Sequence, residues 1–172
     1  MGRFGVSADG ARVLVAGVGN IFFGDDAFGV EVVQRLAKRG VPKDVRVVDF
    51  GIRSYDLAYA MMEPWELVIL VDAVSRGEEP GTVYVIEAEL PEASESPAES
   101  GFDAHSMNPV SVLQLVGKLG GKFARTLVVG CEPVTTEVDA SGEMSQPVRA
   151  AIGEAIRTID ELIAEVLKSK AA

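Results

Sequence analysis

The stretch Val13-Leu14-Val15-Ala16-Gly17-Val18-Gly19-Asn20-Ile21-Phe22-Phe23-Gly24-Asp25-Asp26-Ala27-Phe28-Gly29-Val30 decides how the chain is read. It opens as an unbroken apolar run, the mark of a strand buried on both faces of a parallel sheet. Gly17 and Gly19 break the run and two adjacent carboxylates follow. Phe28, Val32, Val33, Leu36 and Ala37 then recur at helical spacing. The order is strand, tight loop, paired acids, helix. In open α/β sheets, ligands bind in the crevice beyond the carboxyl ends of the strands, so Asp25 and Asp26 stand where a site is expected. An Asp in the first turn of a helix also stabilises it by capping and by complementing its dipole. Position alone does not separate the two roles.

Glycines after a first strand raise the possibility of a dinucleotide fold. Its fingerprint needs Gly-x-Gly-x-x-Gly, and the third glycine position here holds Phe22. Two carboxylates at a helix start repel a pyrophosphate and attract a cation.

Working outward, the first strand is expected over Arg12–Gly17 and the first helix from Ala27 to Arg39, stopped by Gly40 and Pro42. Val45–Val48 reads as a second strand ending at Asp49-Phe50-Gly51. A short helix from a Ser54 cap to Met62 is closed by Pro64. Leu67–Val71 is an unbroken central strand that ends at Asp72, and Thr82–Glu87 alternates as a fourth strand. Residues 88–106 then form a long acidic loop rich in Ser and Pro, with His105 near its end. Asn108 and Pro109 open a helix that ends at Gly120-Gly121. Thr126–Gly130 is a fifth strand, and Ser145 caps a last helix along Val148, Ile152, Ile156, Ile159, Ile163 and Val166. Strands alternating with helices imply βαβ units. The expectation is a single α/β domain over 1–172, a three-layer αβα sandwich around a mostly parallel sheet of about five strands, with a loose terminus at 1–11.

Composition narrows the function. A formal net charge of −10 argues against nucleic-acid and anionic-membrane partners, which need basic patches. No apolar run reaches the length of a membrane span and no signal-peptide core is visible, so a cytoplasmic protein is expected. The single cysteine, Cys131, excludes an internal disulfide and a multi-cysteine metal cage. The single histidine, His105, must carry any histidine chemistry.

Asp26 after the first strand, Asp72 at the end of the third and His105 in the late loop can converge at one rim of a parallel sheet. Two carboxylates and one imidazole suit a borderline divalent ion such as nickel, zinc, manganese or iron. Each residue has an ordinary alternative: a turn cap for Asp72 and an exposed loop position for His105. Asp49 is a fourth rim acid, placed either to join the site or to stabilise a neighbouring loop. Cys131 reads as a small buried hydrophobe, since nothing local supports an activated thiolate. No Gly-x-Ser-x-Gly elbow is present.

Gly17-Val18-Gly19-Asn20-Ile21-Phe22-Phe23-Gly24-Asp25-Asp26-Ala27-Phe28-Gly29 closely resembles the opening signature of the hydrogenase maturation proteases, which trim the C-terminal tail of the large subunit of [NiFe] hydrogenases. Asp49-Phe50-Gly51, Val71-Asp72-Ala73, Pro80-Gly81-Thr82, Asp103-Ala104-His105-Ser106 and Gly130-Cys131-Glu132-Pro133 follow in the family's order. The resemblance runs from Arg12 to about Val166. It implies an endopeptidase, aspartic-type by family classification, acting on a [NiFe] hydrogenase large-subunit precursor. It places the metal-contacting and catalytic positions on Asp26, Asp72 and His105. The nickel they contact would be carried by the substrate, and another divalent metal would suit the same donors. Some family members have Glu at the position of Asp26, and Ala27 stands where Gly is common. Three rivals remain: a nickel-binding assembly chaperone with no catalysis, a dinucleotide-binding oxidoreductase using Gly17, Gly19 and Asp49, and a peptidyl-tRNA hydrolase. The last needs a His soon after the first loop and a basic face, and the chain has neither.

Overall fold

The computed structural model describes residues 10–89, 109–134 and 142–169. Its strands are β1 (Val13–Val18), β2 (Val45–Gly51), β3 (Leu67–Ala73), β4 (Val83–Glu87) and β5 (Thr126–Cys131). Its helices are α1 (Phe28–Arg39), α2 (Ser54–Met61), α3 (Pro109–Lys118) and α4 (Gln146–Lys168), and a 3-10 turn covers Gly24–Ala27. One sheet holds all five strands in the order β2-β1-β3-β5-β4. Every pairing is parallel except that of β4 with β5, which is antiparallel.

Side chains of a strand alternate between faces, and the core divides accordingly. Val13, Val15, Ile69, Val71, Leu127 and Val129 face α1 and α4. Leu14, Ala16, Val68, Leu70 and Val128 face α2 and α3. The result is the expected αβα sandwich. The apolar stripe of α1 (Phe28, Val32, Val33, Leu36) is buried to 1% exposure or less, and each such side chain contributes roughly 1.5–3 kcal/mol by burial. An Arg39–Asp160 ion pair, bonded through the two terminal guanidinium nitrogens, links α1 to α4.

The strand order positions the site. From β1 the chain crosses to β2 on one side, and β3 then returns to the other side of β1. The switch point therefore lies between the carboxyl ends of β1 and β3, where α/β folds open a crevice. The start of α1 is set deep into this gap. A Cβ on Gly29 would lie 2.0 Å from the Val71 carbonyl oxygen and 2.4 Å from that of Val18.

Several expected boundaries move. The paired acids occupy the 3-10 turn, and α1 begins at Phe28 rather than Ala27. Ser54 is the first helical residue of α2, with Arg53 in the cap position, so Ser54 does not cap it. β5 extends to Cys131. Ser145 does occupy the cap position of α4, but its hydroxyl makes no capping bond. The N-terminus through residue 9, the acidic loop from residue 90, and His105 and Asn108 with it, lie outside the described residues.

Replacing Gly29 with Ala should destabilise the fold by about 3 kcal/mol or more, because the new methyl meets two backbone carbonyls that cannot turn aside. Urea denaturation of G29A against the parent chain measures this.

Candidate functional site

Two of the three expected site residues are described, and the fold brings them together. Asp72 is the penultimate residue of β3, opposite Gly130 of β5, and is only 3% exposed. Asp26 is half-buried on the 3-10 turn that packs on β3. Its carboxylate Oδ2 accepts the Asn20 N–H at 2.7 Å. Asn20 Oδ1 in turn accepts the Phe22 N–H at 3.0 Å, and the Asp26 N–H donates to the Phe23 carbonyl. The loop after β1 thus folds back on itself to present Asp26. Gly19 makes this possible: its φ is 131°, and a Cβ there would lie 1.9 Å from the Asp26 carbonyl oxygen.

Burial raises the Asp26 carboxyl above its ordinary range, opposed by the Asn20 hydrogen bond. Asp72 is raised much further, first by burial and then by the negative charge of Asp26, with only the Ala73 N–H acting the other way. Two carboxylates that resist ionising beside each other form a site that a proton or a cation relieves. Among the described residues no three Cys, His, Asp or Glu side chains are grouped closely enough to hold a metal ion. A metal ion held by this pair would need at least one further donor, and His105 lies outside the described residues.

The other rim candidates are committed to other contacts. Asp49 Oδ2 accepts the Gln34 side-chain amide of α1 at 3.2 Å, and its carbonyl accepts the Arg53 guanidinium. Its side chain ties β2 to α1, and its backbone carbonyl holds Arg53 at the entry to α2. Asp25 does not cap α1: the 3-10 turn has no side-chain cap, and the Asp25 carboxylate reaches across to Val134 and Ser145. Cys131 is fully buried, and its thiol is pushed up to about 12 by burial, with Asp25 and Glu132 adding to the effect. It is the buried hydrophobe the sequence implies rather than a nucleophile.

Sequence reasoning missed the role of Glu132. This acid is 3% exposed and accepts the Arg76 N–H at 2.7 Å, the Ser75 hydroxyl at 3.0 Å and the Gly77 N–H at 3.3 Å. Burial pushes its carboxyl up, but these donors together hold it below the ordinary range. It fixes the connection that leaves β3 just after Asp72. Tyr84 supports the same connection by donating to the Val74 carbonyl, and its ring lies so close to Gly130 that a Cβ there would meet Cε2 at 2.4 Å. The only signal available was an acid placed directly after a buried strand.

Comparison with known proteins bears on this arrangement. The model of a family described as hydrogenase maturation protease matches residues 30–162, more than half of the chain. The chain belongs to the hydrogenase maturation protease family. The match spans Asp72 and His105 and starts beyond Asp26. A candidate hydrogenase maturation protease of Methanocaldococcus jannaschii is 35% identical over 150 residues, covering 86% of this chain and 93% of that one. The hydrogenase expression/formation protein HupD of Rhizobium leguminosarum is 32% identical over 148 residues, covering 86% and 71%. Among solved structures, the hydrogenase maturating endopeptidase HybD from E. coli superposes with a TM-score of 0.71 at 28% identity, covering 90% of this chain and 93% of HybD. Membership of this family makes the chain a peptidase.

The raised Asp72 carboxyl gives a pH-dependent prediction. The folded state holds this proton more tightly than the unfolded chain, so stability falls as pH rises from the unfolded carboxyl value through the raised folded one. Asp72→Asn should therefore stabilise the protein at neutral pH by roughly 0.5–2 kcal/mol. The gain should vanish near pH 3, where both forms are neutral. Thermal melts of both proteins across that range test the sign.

Proposed function

We propose that this peptidase removes the C-terminal extension of a [NiFe] hydrogenase large-subunit precursor after nickel insertion, and that Asp26, Asp72 and His105 recognise the nickel carried by that substrate. The observation that supports this most directly is the pairing of half-buried Asp26 with buried Asp72 at the switch point, mutually repelling and short of a counter-charge. A divalent ion presented by a substrate supplies that charge, and carboxylate with imidazole is a donor set that nickel accepts. Free enzyme and loaded substrate then complete the site between them, so cleavage waits for the metal.

The chemistry follows from what the chain offers. With Cys131 buried and protonated, attack falls to water rather than to a thiolate. A carboxyl whose affinity for protons is raised takes a proton from water more readily than an ordinary one. Asp26 and Asp72 fit that role better than Asp25 or Asp49, whose carboxylates are held by hydrogen bonds at other contacts. Bound metal would polarise the scissile carbonyl or the water.

A polypeptide substrate accords with the rim. Ile21, Phe22 and Phe23 are 53%, 74% and 42% exposed directly before the acids. Ile52, 63% exposed, stands next to the Gly51 carbonyl that accepts the Gly19 N–H. Apolar side chains gathered around a site are characteristic of a protein-docking surface.

The deciding measurement is processing of a nickel-loaded precursor, followed as a mass shift. Asp72→Asn and His105→Ala should each lower kcat/KM at least 100-fold. Unchanged cleavage by either would remove that residue from the reading. Binding of the precursor with no peptide released by the parent chain would favour the assembly chaperone. Phe22→Ser tests the rim: KM should rise about tenfold with kcat unchanged.

A further inference from the structure

Asp25 is a rim acid whose described hydrogen-bond partners come from distant parts of the chain. Its Oδ2 accepts the Val134 N–H at 2.9 Å and the Ser145 hydroxyl at 2.9 Å, and its Oδ1 accepts the Ser145 N–H at 2.7 Å. Val134 lies just past β5, and Ser145 is the cap residue of α4. One half-buried carboxylate thus joins the 3-10 turn to the exit of β5 and the entry of α4. Hydrogen bonds to an ionised acceptor are roughly twice as strong as neutral ones. Three of them on one side chain fix its orientation.

Neither neighbour needs Asp25 for its own regularity. The 3-10 turn has no side-chain cap, and the Ser145 hydroxyl turns away from its helix to reach the acid. The bonds therefore serve the relative placement of the three segments. The residue next to Asp25 on the same short turn is Asp26. A single turn fixed at Asp25 and at the Asn20–Asp26 bond leaves the Asp26 carboxylate little freedom to rotate or retreat from Asp72. Holding one charged group beside another that repels it requires such an anchor, because relaxation would otherwise separate them.

We infer that Asp25 is a positioning residue: its bonds to Val134 and Ser145 hold the 3-10 turn so that Asp26 stays beside Asp72 in the geometry that reads the substrate's metal. This rests on the function proposed above. It predicts a loss specific to metal recognition, not a general loss of folded protein.

The test compares binding of the nickel-loaded precursor and of the same precursor without metal, with the enzyme's Tm recorded alongside. The parent chain should favour the loaded form. Asp25→Ala should weaken binding of the loaded precursor about 10- to 100-fold and leave the metal-free affinity unchanged. Asp25→Asn keeps one acceptor oxygen but turns an amide toward a donor, so it should fall between. Ser145→Ala removes one bond of the three and should show the same selective loss, smaller; it keeps the question answerable if Asp25→Ala does not fold. Equal weakening for both precursors would mark a purely structural role and overturn the inference, as would no weakening in any of the three variants. Asp26→Asn separates the two levels. If it leaves the preference for loaded precursor intact, the metal-recognition reading fails and this inference falls with it. If it abolishes the preference while the Asp25 variants do not, the positioning role alone fails. The buried Cys131 thiol gives an independent readout, since a loosened anchor should speed its labelling by a thiol reagent.

Discussion

The approach of α1 to the ends of β1 and β3 is the constraint on which the rest depends. At Gly29 the helix comes so near two strand-end carbonyls that no side chain fits. That contact closes the base of the crevice, places the 3-10 turn over β3 and brings Asp26 toward Asp72. The apolar stripe of α1 supplies the energy for the approach and the strand order supplies its location. Neither would form the site without the missing Cβ.

The acid pair shows how a stable sandwich is used to hold an unfavourable feature. An aspartate that is 3% exposed and faces a second carboxylate costs folding energy that the surrounding core must offset. The scaffold meets this with rigidity around the pair. Glu132 secures the connection after Asp72 with backbone and hydroxyl donors, Asn20 secures the loop before Asp26, and Asp25 secures the turn itself. These three polar anchors have little to do with the hydrophobic core, and all of them border the two acids.

The architecture was legible in the sequence because burial writes itself into composition. Val13–Ala16 and Leu67–Val71 are continuous apolar runs, and α1 and α4 carry clear helical stripes. The same logic placed Asp26 and Asp72 at strand ends and hence on one rim. The short turn at Gly24–Ala27 was not legible, since a 3-10 turn and the first turn of an α-helix share their residue preferences. The contacts of Asp25 were illegible for a different reason. Its partners are 109 and 120 residues away, a separation that no local pattern encodes. Glu132 was passed over because its donors are mostly backbone N–H groups, which every residue carries. Ser145 shows the mixed case: its position as a cap was readable, and the direction of its hydroxyl was not.

Burial of Cys131 keeps a soft sulfur donor away from the rim that carries Asp26 and Asp72. With its thiol pushed up to about 12 by burial, Cys131 stays protonated at neutral pH. An exposed thiolate there would bind a borderline metal ion tightly and hold it. The rim instead carries the oxygen donors of Asp26 and Asp72, and the chain's only sulfhydryl is buried. Under the function proposed above, such a rim would inspect a metal and let it go, as a checkpoint requires and a scavenger does not.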